Sequence, residues 1–247
     1  TPQALEIPFS DVAAYEQCGY RYRLARAYGF QQALAREMGY GRAIHHILRR
    51  IAEETAKRGK APTKKRAGMI MEREFFLPFA NRPAFEEMKN RASWVVDRYL
   101  DSYSGDLERV WAIERPFELQ VEGGIVTGKA DVILDLEEGK IGRLAIVDYK
   151  SAKAVRKRDQ FDFQIQVYAA AGRGEGLEVA AGYLHDLADG HRDRVDVGER
   201  IAQAAVKRLG KSVKAIRKGE FPLCRRAETC RNCDYKVICR HGKSAAQ

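Results

Sequence analysis

The chain has 247 residues, of which 45% are hydrophobic and 32% are charged, a composition typical of a globular protein with a substantial core. Lys and Arg number 44 against 34 Asp and Glu, and this excess of positive charge favours a polyanionic partner such as a nucleic acid. Neither a signal peptide nor a long apolar run is present, which excludes a membrane span and predicts an intracellular, cytoplasmic protein that does not bind membranes. Because the first residue is Thr1, we expect a processed protein or a piece of a longer one.

Helical patterns come first along the chain. Residues 11–18 predict a short helix. Residues 41–57 predict a longer one, because Ile44, Leu48 and Ile51 recur at helical spacing. Further helices are predicted over residues 61–104, so this part of the chain is expected to form a helical subdomain.

Strand patterns follow. Three successive strands are predicted at residues 110–121, 125–136 and 143–150, with turn residues between them. A helix at 159–172, a strand at 177–184 and a long basic helix at 198–218 complete the predicted elements. This order predicts a mixed α/β fold with a helical insertion.

Two acidic residues and a lysine lie on neighbouring predicted strands. Asp131 is on the less apolar face of its strand, and Asp148 and Lys150 end a strand that begins with four apolar residues. A carboxylate at the end of a buried strand is costly unless it is paired or bound to a metal. Two such carboxylates could hold Mg²⁺ or Mn²⁺ beside the lysine amine. The alternative is a structural salt bridge, Asp148 with Lys150 or Asp131 with Lys129.

The residues around these positions resemble the core of the PD-(D/E)xK nuclease superfamily, and in particular its RecB-like branch. The first motif is Gly-Lys-Ala-Asp at 128–131, with Ala130 where the superfamily's nominal proline would stand. The second motif is Ile-Val-Asp-Tyr-Lys-Ser at 146–151. The resemblance implies a restriction-endonuclease-like α/β fold, in which helices flank a mixed central sheet, with an N-terminal helical subdomain and a C-terminal iron–sulfur-binding tail.

Three further marks of the RecB-like branch occur in the expected order. Gly41 and His45 form a Gly-x-x-x-His motif, which implies His45 as a further metal ligand. Gln164 and Tyr168 form a Gln-x-x-x-Tyr motif, whose spacing places both on one face of a helix. Glu114 opens the first predicted strand in a supporting or structural role. The alternative for the histidine is a core or surface residue, although the Gly41 spacing favours His45 as a ligand. The alternative for the glutamine motif is an ordinary amphipathic helix.

The five cysteines are expected to be metal or cluster ligands, because disulfides are rare in intracellular proteins. Cys230, Cys233 and Cys239 form a CxxC motif followed by a third cysteine, a pattern of zinc or iron–sulfur sites. The spacing leaves the fourth ligand open, either Cys224 in a local zinc site or Cys18 far upstream. A resemblance to AddB-type and CRISPR-associated RecB-like nucleases implies a [4Fe–4S] cluster held by Cys18 and the C-terminal trio, with Cys224 spare. Such a cluster would tie the two ends of the chain together.

The resemblance implies a metal-dependent deoxyribonuclease that hydrolyses phosphodiester bonds and leaves 5′-phosphates. Lys150 would position or activate the attacking water, with Gln164 and Tyr168 at the same site. The implied ligands of one or two Mg²⁺ or Mn²⁺ ions are His45, Asp131, Asp148 and the main-chain carbonyl of Tyr149. Basic residues after the active strand are candidates for binding DNA phosphates, the alternative being a solvated loop: Lys153, Arg156, Lys157 and Arg158.

A single nuclease domain is expected, with a helical subdomain at 20–105, a nuclease core at 106–220, and an iron–sulfur clasp formed by 221–247 and Cys18. The resemblance implies an exonuclease in DNA end processing or repair, acting on free-ended or single-stranded DNA and coupled to a helicase domain or subunit. The alternative is a non-catalytic iron–sulfur or zinc module that binds DNA without cutting it. The complete set of Asp131, Asp148 and Lys150 favours the enzyme.

Overall fold

The structure is a computed structural model that describes residues 5–31, 38–137, 142–151, 158–224, 226–231 and 233–239. Its helices and strands, in chain order, are β1 (Leu5–Pro8), α1 (Phe9–Gln17), α2 (Gly19–Arg26), α3 (Tyr40–Arg58), α4 (Lys64–Glu74), α5 (Arg82–Glu108), β2 (Val110–Val121), β3 (Gly124–Asp135), β4 (Leu144–Lys150), α6 (Arg158–Gly174), β5 (Val179–Asp186), β6 (Arg192–Val195), α7 (Glu199–Arg217) and α8 (Ala227–Arg231). The chain forms two compact units: unit 1 comprises residues 1–34, 118–128 and 206–247, and unit 2 comprises residues 35–117 and 129–205.

A mixed sheet forms the centre of unit 2. β3 pairs antiparallel with β4, β4 pairs parallel with β5, and β5 pairs antiparallel with β6. β4 therefore lies between two neighbours, and its residues from Leu144 to Tyr149 are all buried. A strand covered on both faces requires apolar side chains at successive positions, which explains the continuous apolar run before Asp148.

Helices cover both faces of this strand. Successive side chains of a strand point to opposite faces. Tyr149 reaches Tyr99 of α5, whereas the next residue, Lys150, reaches Gln164 of α6. α5 and α6 therefore lie on opposite sides of β4.

The helical part of unit 2 is built on α3, which packs against α4 and α5. Its apolar stripe is at most 2% exposed at Ile44, Ile47, Leu48 and Ile51. These residues belong to a hydrophobic core that also takes in β4 side chains such as Val147. The polar face of α3 can therefore carry ionic and histidine side chains without disturbing the core.

Unit 1 joins segments from near the two ends of the chain. β1 pairs parallel with the start of β3, from Leu5 opposite Gly124 to Pro8 opposite Thr127. Glu16 of α1 accepts hydrogen bonds from Arg208 at 2.6 Å and from Ser212 at 2.9 Å, both on α7. These contacts hold α1 against the C-terminal part of α7.

The mixed α/β architecture predicted from the sequence is confirmed, with a mixed sheet flanked by helices. The three predicted strands after residue 105 correspond to β2, β3 and β4, within one or two residues at each end. The prediction missed β1 and β6, which have only four residues each and therefore show too few alternations to be recognised. No helix in the described part of the chain has the length and hydrophobicity of a membrane span.

Candidate active site

β3 and β4 place two carboxylates side by side in unit 2. The antiparallel register pairs Val132 with Val147, and one step further along both strands stand Asp131 and Asp148. Side chains opposite each other on neighbouring strands lie about 5 Å apart at Cβ. The two motifs identified in the sequence therefore meet at one place.

Asp131 is held from two directions. Its Oδ1 lies 3.1 Å from His45 Nδ1, and its Oδ2 accepts a hydrogen bond of 2.7 Å from the Tyr149 peptide N–H. Burial would raise the pKa of this carboxyl, but the nearby His45 and these hydrogen bonds outweigh it and lower the pKa. Burial would likewise lower the pKa of His45, yet the charge and hydrogen bond of Asp131 raise it. Asp131 is therefore an anion already fixed in position.

Asp148 is in a different environment. Its residue is 2% exposed, and burial, with the repulsion of Asp131, raises its pKa to about 6 despite the attraction of Lys150. Lys150 Nζ lies 2.6 Å from Asp148 Oδ2. Apart from this ion pair, Oδ2 has no hydrogen-bond partner among the described residues. A carboxylate oxygen whose one contact is an ammonium keeps a lone pair that a further cation can bind.

α6 supplies a second set of partners to the lysine. Lys150 Nζ donates to Gln164 Oε1 at 3.1 Å, and Gln164 Nε2 donates to the Tyr168 hydroxyl at 3.1 Å. Burial raises the pKa of Tyr168 to about 12, so this phenol stays protonated. Phe161 lies under the ammonium, 4.7 Å from Nζ to the ring centroid, a contact that the sequence analysis missed. The Gln-x-x-x-Tyr motif thus orients the lysine toward the carboxylates.

α3 brings His45 to this site and turns His46 away from it. A Cβ on Gly41 would lie 2.7 Å from the Ser151 hydroxyl, so α3 approaches the end of β4 closely here and a larger residue would require the serine side chain to shift. His45, one turn later, faces Asp131. His46 instead contacts Glu74, with 3.0 Å between Nε2 and Oε2. The two adjacent histidines therefore have separate environments.

Glu114 is at the border of this group. It lies in β2 with a left-handed φ of 46°, which is uncommon for a residue with a side chain. Its Oε2 is 3.4 Å from Lys129 Nζ. Among the described residues, Glu114 thus contacts Lys129, two residues before Asp131, and neither Asp131 nor Asp148.

The donor types at this site suit a hard divalent cation. Carboxylate oxygens are preferred by Mg²⁺ and Mn²⁺, and an imidazole suits Mn²⁺. In the described part of the chain, however, no three or more His, Cys, Asp or Glu side chains are already arranged as a metal-binding group. His45 and Lys150 instead neutralise the two carboxylates. The residues fit a metal in chemistry, because Asp148 Oδ2 is paired with Lys150 but makes no hydrogen bond to a described residue.

A buried polar network lies on the other face of β4, and the sequence analysis did not identify it. The Tyr149 and Tyr99 hydroxyls hydrogen-bond at 2.8 Å. Arg192 donates to His185 Nδ1 at 3.0 and 3.1 Å and forms an ion pair with Asp106. Burial, reinforced by Arg192, lowers the pKa of His185 to about 3, so the ring is neutral. Because His185 and Arg192 are direct partners in the β5–β6 pairing, recognising that hairpin would have predicted their contact.

The cysteines all lie in unit 1. Cys18, Cys224, Cys230, Cys233 and Cys239 line one narrow cavity. Peptide N–H groups of Arg21 and Cys224 each lie 3.4 Å from Cys18 Sγ. Burial raises the pKa of the Cys230 thiol, and the charges of the other four cysteines raise it further. The fold thus brings the upstream cysteine to the C-terminal ones, together with Cys224.

The same region is held together by contacts that involve no cysteine. Tyr15 donates a hydrogen bond of 2.8 Å to the Glu220 carbonyl, and Tyr235 donates one of 3.0 Å to the Phe30 carbonyl. Arg21 pairs with Asp234 at 3.1 Å. The N-terminal helices and the tail are therefore joined by hydrogen bonds and by an ion pair.

Of the four basic residues predicted to bind DNA, Arg158 is the one within the described residues. Lys153, Arg156 and Lys157 lie outside the described residues. Arg158 begins α6 and pairs with Asp162 at 2.7 Å and with Asp193. Its guanidinium is engaged within unit 2, so Arg158 offers less free charge to DNA than its place in a basic run indicated.

Nearly the whole chain is similar to known proteins. Residues 7–240 match the model of the PD-(D/E)XK nuclease superfamily. No curated protein matches the sequence significantly. A protein from Eubacterium rectale named "Putative exonuclease" has a similar fold, with a TM-score of 0.54, 10% identity, and coverage of 92% of this chain and 87% of that one. The crystal structure of SSO0001 aligns with a TM-score of 0.47 and 13% identity over 98% of this chain and 89% of its own.

Proposed function

Because the chain belongs to the PD-(D/E)XK nuclease superfamily, we propose that it is a divalent-metal-dependent nuclease that hydrolyses DNA phosphodiester bonds. The observation that carries the proposal is the position of Lys150. Its ammonium lies between Asp148 and Gln164, on the strand next to Asp131. This hydrolysis requires carboxylates that can hold a metal and an oriented amine. Asp131 and Asp148 supply the carboxylates, and Lys150 supplies the amine.

Each side chain has a separate role in the proposed reaction. His45, Asp131, Asp148 and the Tyr149 carbonyl would hold Mg²⁺ or Mn²⁺, which when bound supplies Lewis-acid stabilisation of phosphate charge and a more acidic water. Lys150 orients the attacking water and neutralises charge that develops on the phosphate. Gln164, itself bonded to Tyr168, keeps the lysine from turning away. Water adds to phosphorus as the P–O3′ bond breaks, which leaves a 5′-phosphate and a 3′-hydroxyl.

The cellular context is a further part of the proposal. The formal charge of +10 supports a DNA substrate. The RecB-like motifs support exonucleolytic processing of free or single-stranded DNA ends in repair, with a helicase domain or subunit as partner. The exonuclease name belongs to the Eubacterium rectale protein. At 10% identity, its similarity to this chain is evidence for the fold alone.

The proposal is tested with end-labelled DNA in the presence of Mg²⁺, Mn²⁺ or EDTA. We expect cleavage with either metal and none with EDTA. Asp148→Asn should lose at least about 10²-fold in rate, because it removes the charge that a metal needs. Asp101→Asn, at an exposed ion pair with Lys64, is the matched control and should cut normally. If Asp148→Asn cuts as fast as wild type, or the wild type binds DNA without cutting it, the chain is the non-catalytic module instead.

We also propose a [4Fe–4S] cluster held by Cys18, Cys230, Cys233 and Cys239. Support comes from the convergence of these sulfurs on one cavity and from peptide N–H groups directed at Cys18 Sγ. Burial, and then the charges of the other four cysteines, raise the pKa of Cys230, and bound iron would stabilise its thiolate. The cluster would then be structural, because it would link the N-terminal and C-terminal segments of unit 1.

Anaerobic purification distinguishes the cluster from zinc. We expect a brown protein with about four iron and four sulfide ions per chain. Cys18→Ser and Cys233→Ser should lose this iron, whereas Cys224→Ser should keep it. A colourless protein that contains zinc contradicts the cluster. If Cys224→Ser loses iron and Cys18→Ser keeps it, the fourth ligand is local.

A further inference from the structure

A cleft of about 460 Å³ in unit 2 lies beside the helix that carries His45, and the reaction described above does not use it. α3 contributes Arg42 and His46 to its lining, and the loop between α4 and α5 contributes Phe76 and Phe79. The cleft therefore combines aromatic and cationic side chains.

The loop holds its aromatic rings outward. Phe75 and Leu77 are 6% and 3% exposed and anchor the loop in the core, and Phe75 packs against Phe85 at 5.8 Å. Phe76, between the two anchors, and Phe79, just after them, are 70% and 48% exposed. Exposed phenylalanine on an anchored loop loses little conformational entropy when a flat ligand stacks on it.

The charge in the cleft favours an anionic ligand. Arg42 is exposed and makes no hydrogen bond or ion pair with another described residue. Glu74 is the one acid among the described lining residues, and it contacts Arg73 at 2.7 Å, Arg50 at 2.8 Å and His46 at 3.0 Å. Its negative charge is thus neutralised within the protein, and the Arg42 guanidinium is left for a ligand.

The cleft is close to the proposed catalytic residues. Gly41 and His45 lie on the face of α3 that meets Ser151 and Asp131, and Arg42 and His46 lie one residue further round the same helix. Each step around a helix is about 100°, and the helix is roughly 10 Å wide. A DNA strand whose phosphate is at Asp148 can therefore place a nearby base in the cleft.

We propose that this cleft binds an unpaired nucleobase of single-stranded DNA, with the base stacked on Phe76 or Phe79 and Arg42 against the adjoining phosphate. The inference rests on the proposed nuclease function, and it specifies the substrate as a single strand at the point of entry to the active site. Every base has a face for stacking, so the cleft is expected to be tolerant of sequence. In a duplex the bases are already stacked and are withheld from such a site.

The test measures binding of fluorescein-labelled strands by anisotropy in EDTA, so that it does not require cleavage. The probes are an oligothymidylate, a strand of equal length made of abasic residues, and a duplex. We expect Phe76→Ala or Phe79→Ala to weaken oligothymidylate binding by about 5- to 100-fold, the range for loss of one stacked base. The same variants should change binding of the abasic strand and of the duplex by less than about twofold. Arg42→Ala should weaken oligothymidylate and abasic strands alike, since it acts on phosphate.

Two controls separate stacking from misfolding and from a general aromatic effect. Phe76→Trp should restore binding, because it keeps a ring in the cleft. Trp94→Ala removes an exposed ring on α5, 56% exposed, that does not line the cleft, and should bind normally. Unchanged oligothymidylate binding in both Phe76→Ala and Phe79→Ala overturns the proposal and leaves the patch to a protein partner. Equal losses for thymidylate and abasic strands also overturn it. Because binding is measured without metal, a failure of Asp148→Asn to impair cleavage would count against the nuclease alone.

Discussion

The two faces of strand β4 carry polar networks of opposite character. Toward α5, the Tyr149 hydroxyl is paired with Tyr99, and Arg192 is shared by His185 and Asp106. Toward α6, the buried Asp148 has a raised pKa and an oxygen without a hydrogen-bond partner among the described residues. The same strand thus carries two networks. On the α5 face the polar groups satisfy one another, and on the α6 face their pairing is incomplete.

The difference indicates which face is structural. A buried polar group that is satisfied within the protein adds to stability and leaves no capacity for a ligand. A buried carboxylate whose compensation is incomplete costs stability, and it persists where a substrate or cation completes the site. The α6 face is therefore expected to govern activity, and the α5 face to govern stability.

The largest expected effect is on the α6 face. Lys150→Met removes the amine between Asp148 and Gln164, and we expect kcat to fall by about 10²- to 10³-fold, as for loss of one electrostatic stabiliser of the transition state. Lys64→Met removes an exposed lysine that also pairs with an aspartate and should leave kcat unchanged. Rates are compared at saturating DNA and at matched fractions of folded protein. Similar rates for Lys150→Met and wild type would mean that this lysine only holds a salt bridge.

The second prediction concerns stabilisation by metal on the same face. A cation that binds only the folded protein stabilises it by about 2.7 kcal/mol at 100 times its Kd, which raises Tm by about 5–10 °C for a chain of this size. We expect this rise with Mn²⁺ in wild type. Asp131→Asn and Asp148→Asn should each lose most of it, measured by thermal melting with Mn²⁺ and with EDTA. A full shift retained in both variants would place the metal elsewhere.

The sequence predicted the residues of the α6 face but not those of the α5 face. Asp131, Asp148 and Lys150 could be placed together because period-two alternation and the two motifs located them on adjacent strands. Gln164 could be placed on a helix after them, but its bond to Lys150 depends on how α6 packs, which local pattern does not determine. The sequence therefore predicted the members of the α6 face better than their contacts.

The α5 face escaped prediction for two physical reasons. Tyr99 and Tyr149 are fifty residues apart and belong to elements whose hydrophobic periodicity hides a polar hydroxyl among core residues. His185 and Arg192 meet across the short hairpin of β5 and β6, whose second strand was not recognised. The cysteine prediction shows the same limit, since spacing identified the C-terminal trio but only folding brings Cys18 and Cys224 beside it.

The third prediction addresses the α5 face directly. Arg192→Met removes the donor to His185 and one partner of the buried Asp106, and we expect a loss of about 2 kcal/mol in the free energy of unfolding. Cleavage per folded molecule should change by less than about threefold, because the Lys150 contacts are intact. Arg194→Met, at an exposed arginine two residues further along the same strand, is the control and should unfold like wild type. A loss of activity without loss of stability in Arg192→Met would contradict the division between the faces.

The smallest effect is expected from removing the hydroxyls of Tyr99 and Tyr149. Tyr99→Phe leaves the buried Tyr149 hydroxyl without its partner and should cost about 1 kcal/mol in denaturant unfolding, and Tyr149→Phe should cost a similar amount. The double variant removes both polar groups, so it should be no less stable than either single variant, which gives a coupling of about 1 kcal/mol. Tyr149 also donates its peptide N–H to Asp131, and that bond is on the main chain, which neither substitution changes. Activity within about twofold of wild type in all three variants would show that the Tyr99 and Tyr149 hydroxyls do not contribute to the position of Asp131. An activity loss that follows the coupling energy would instead mean that the buried hydroxyls help to set the position of the catalytic carboxylate, and the two faces of the strand would then act as one unit.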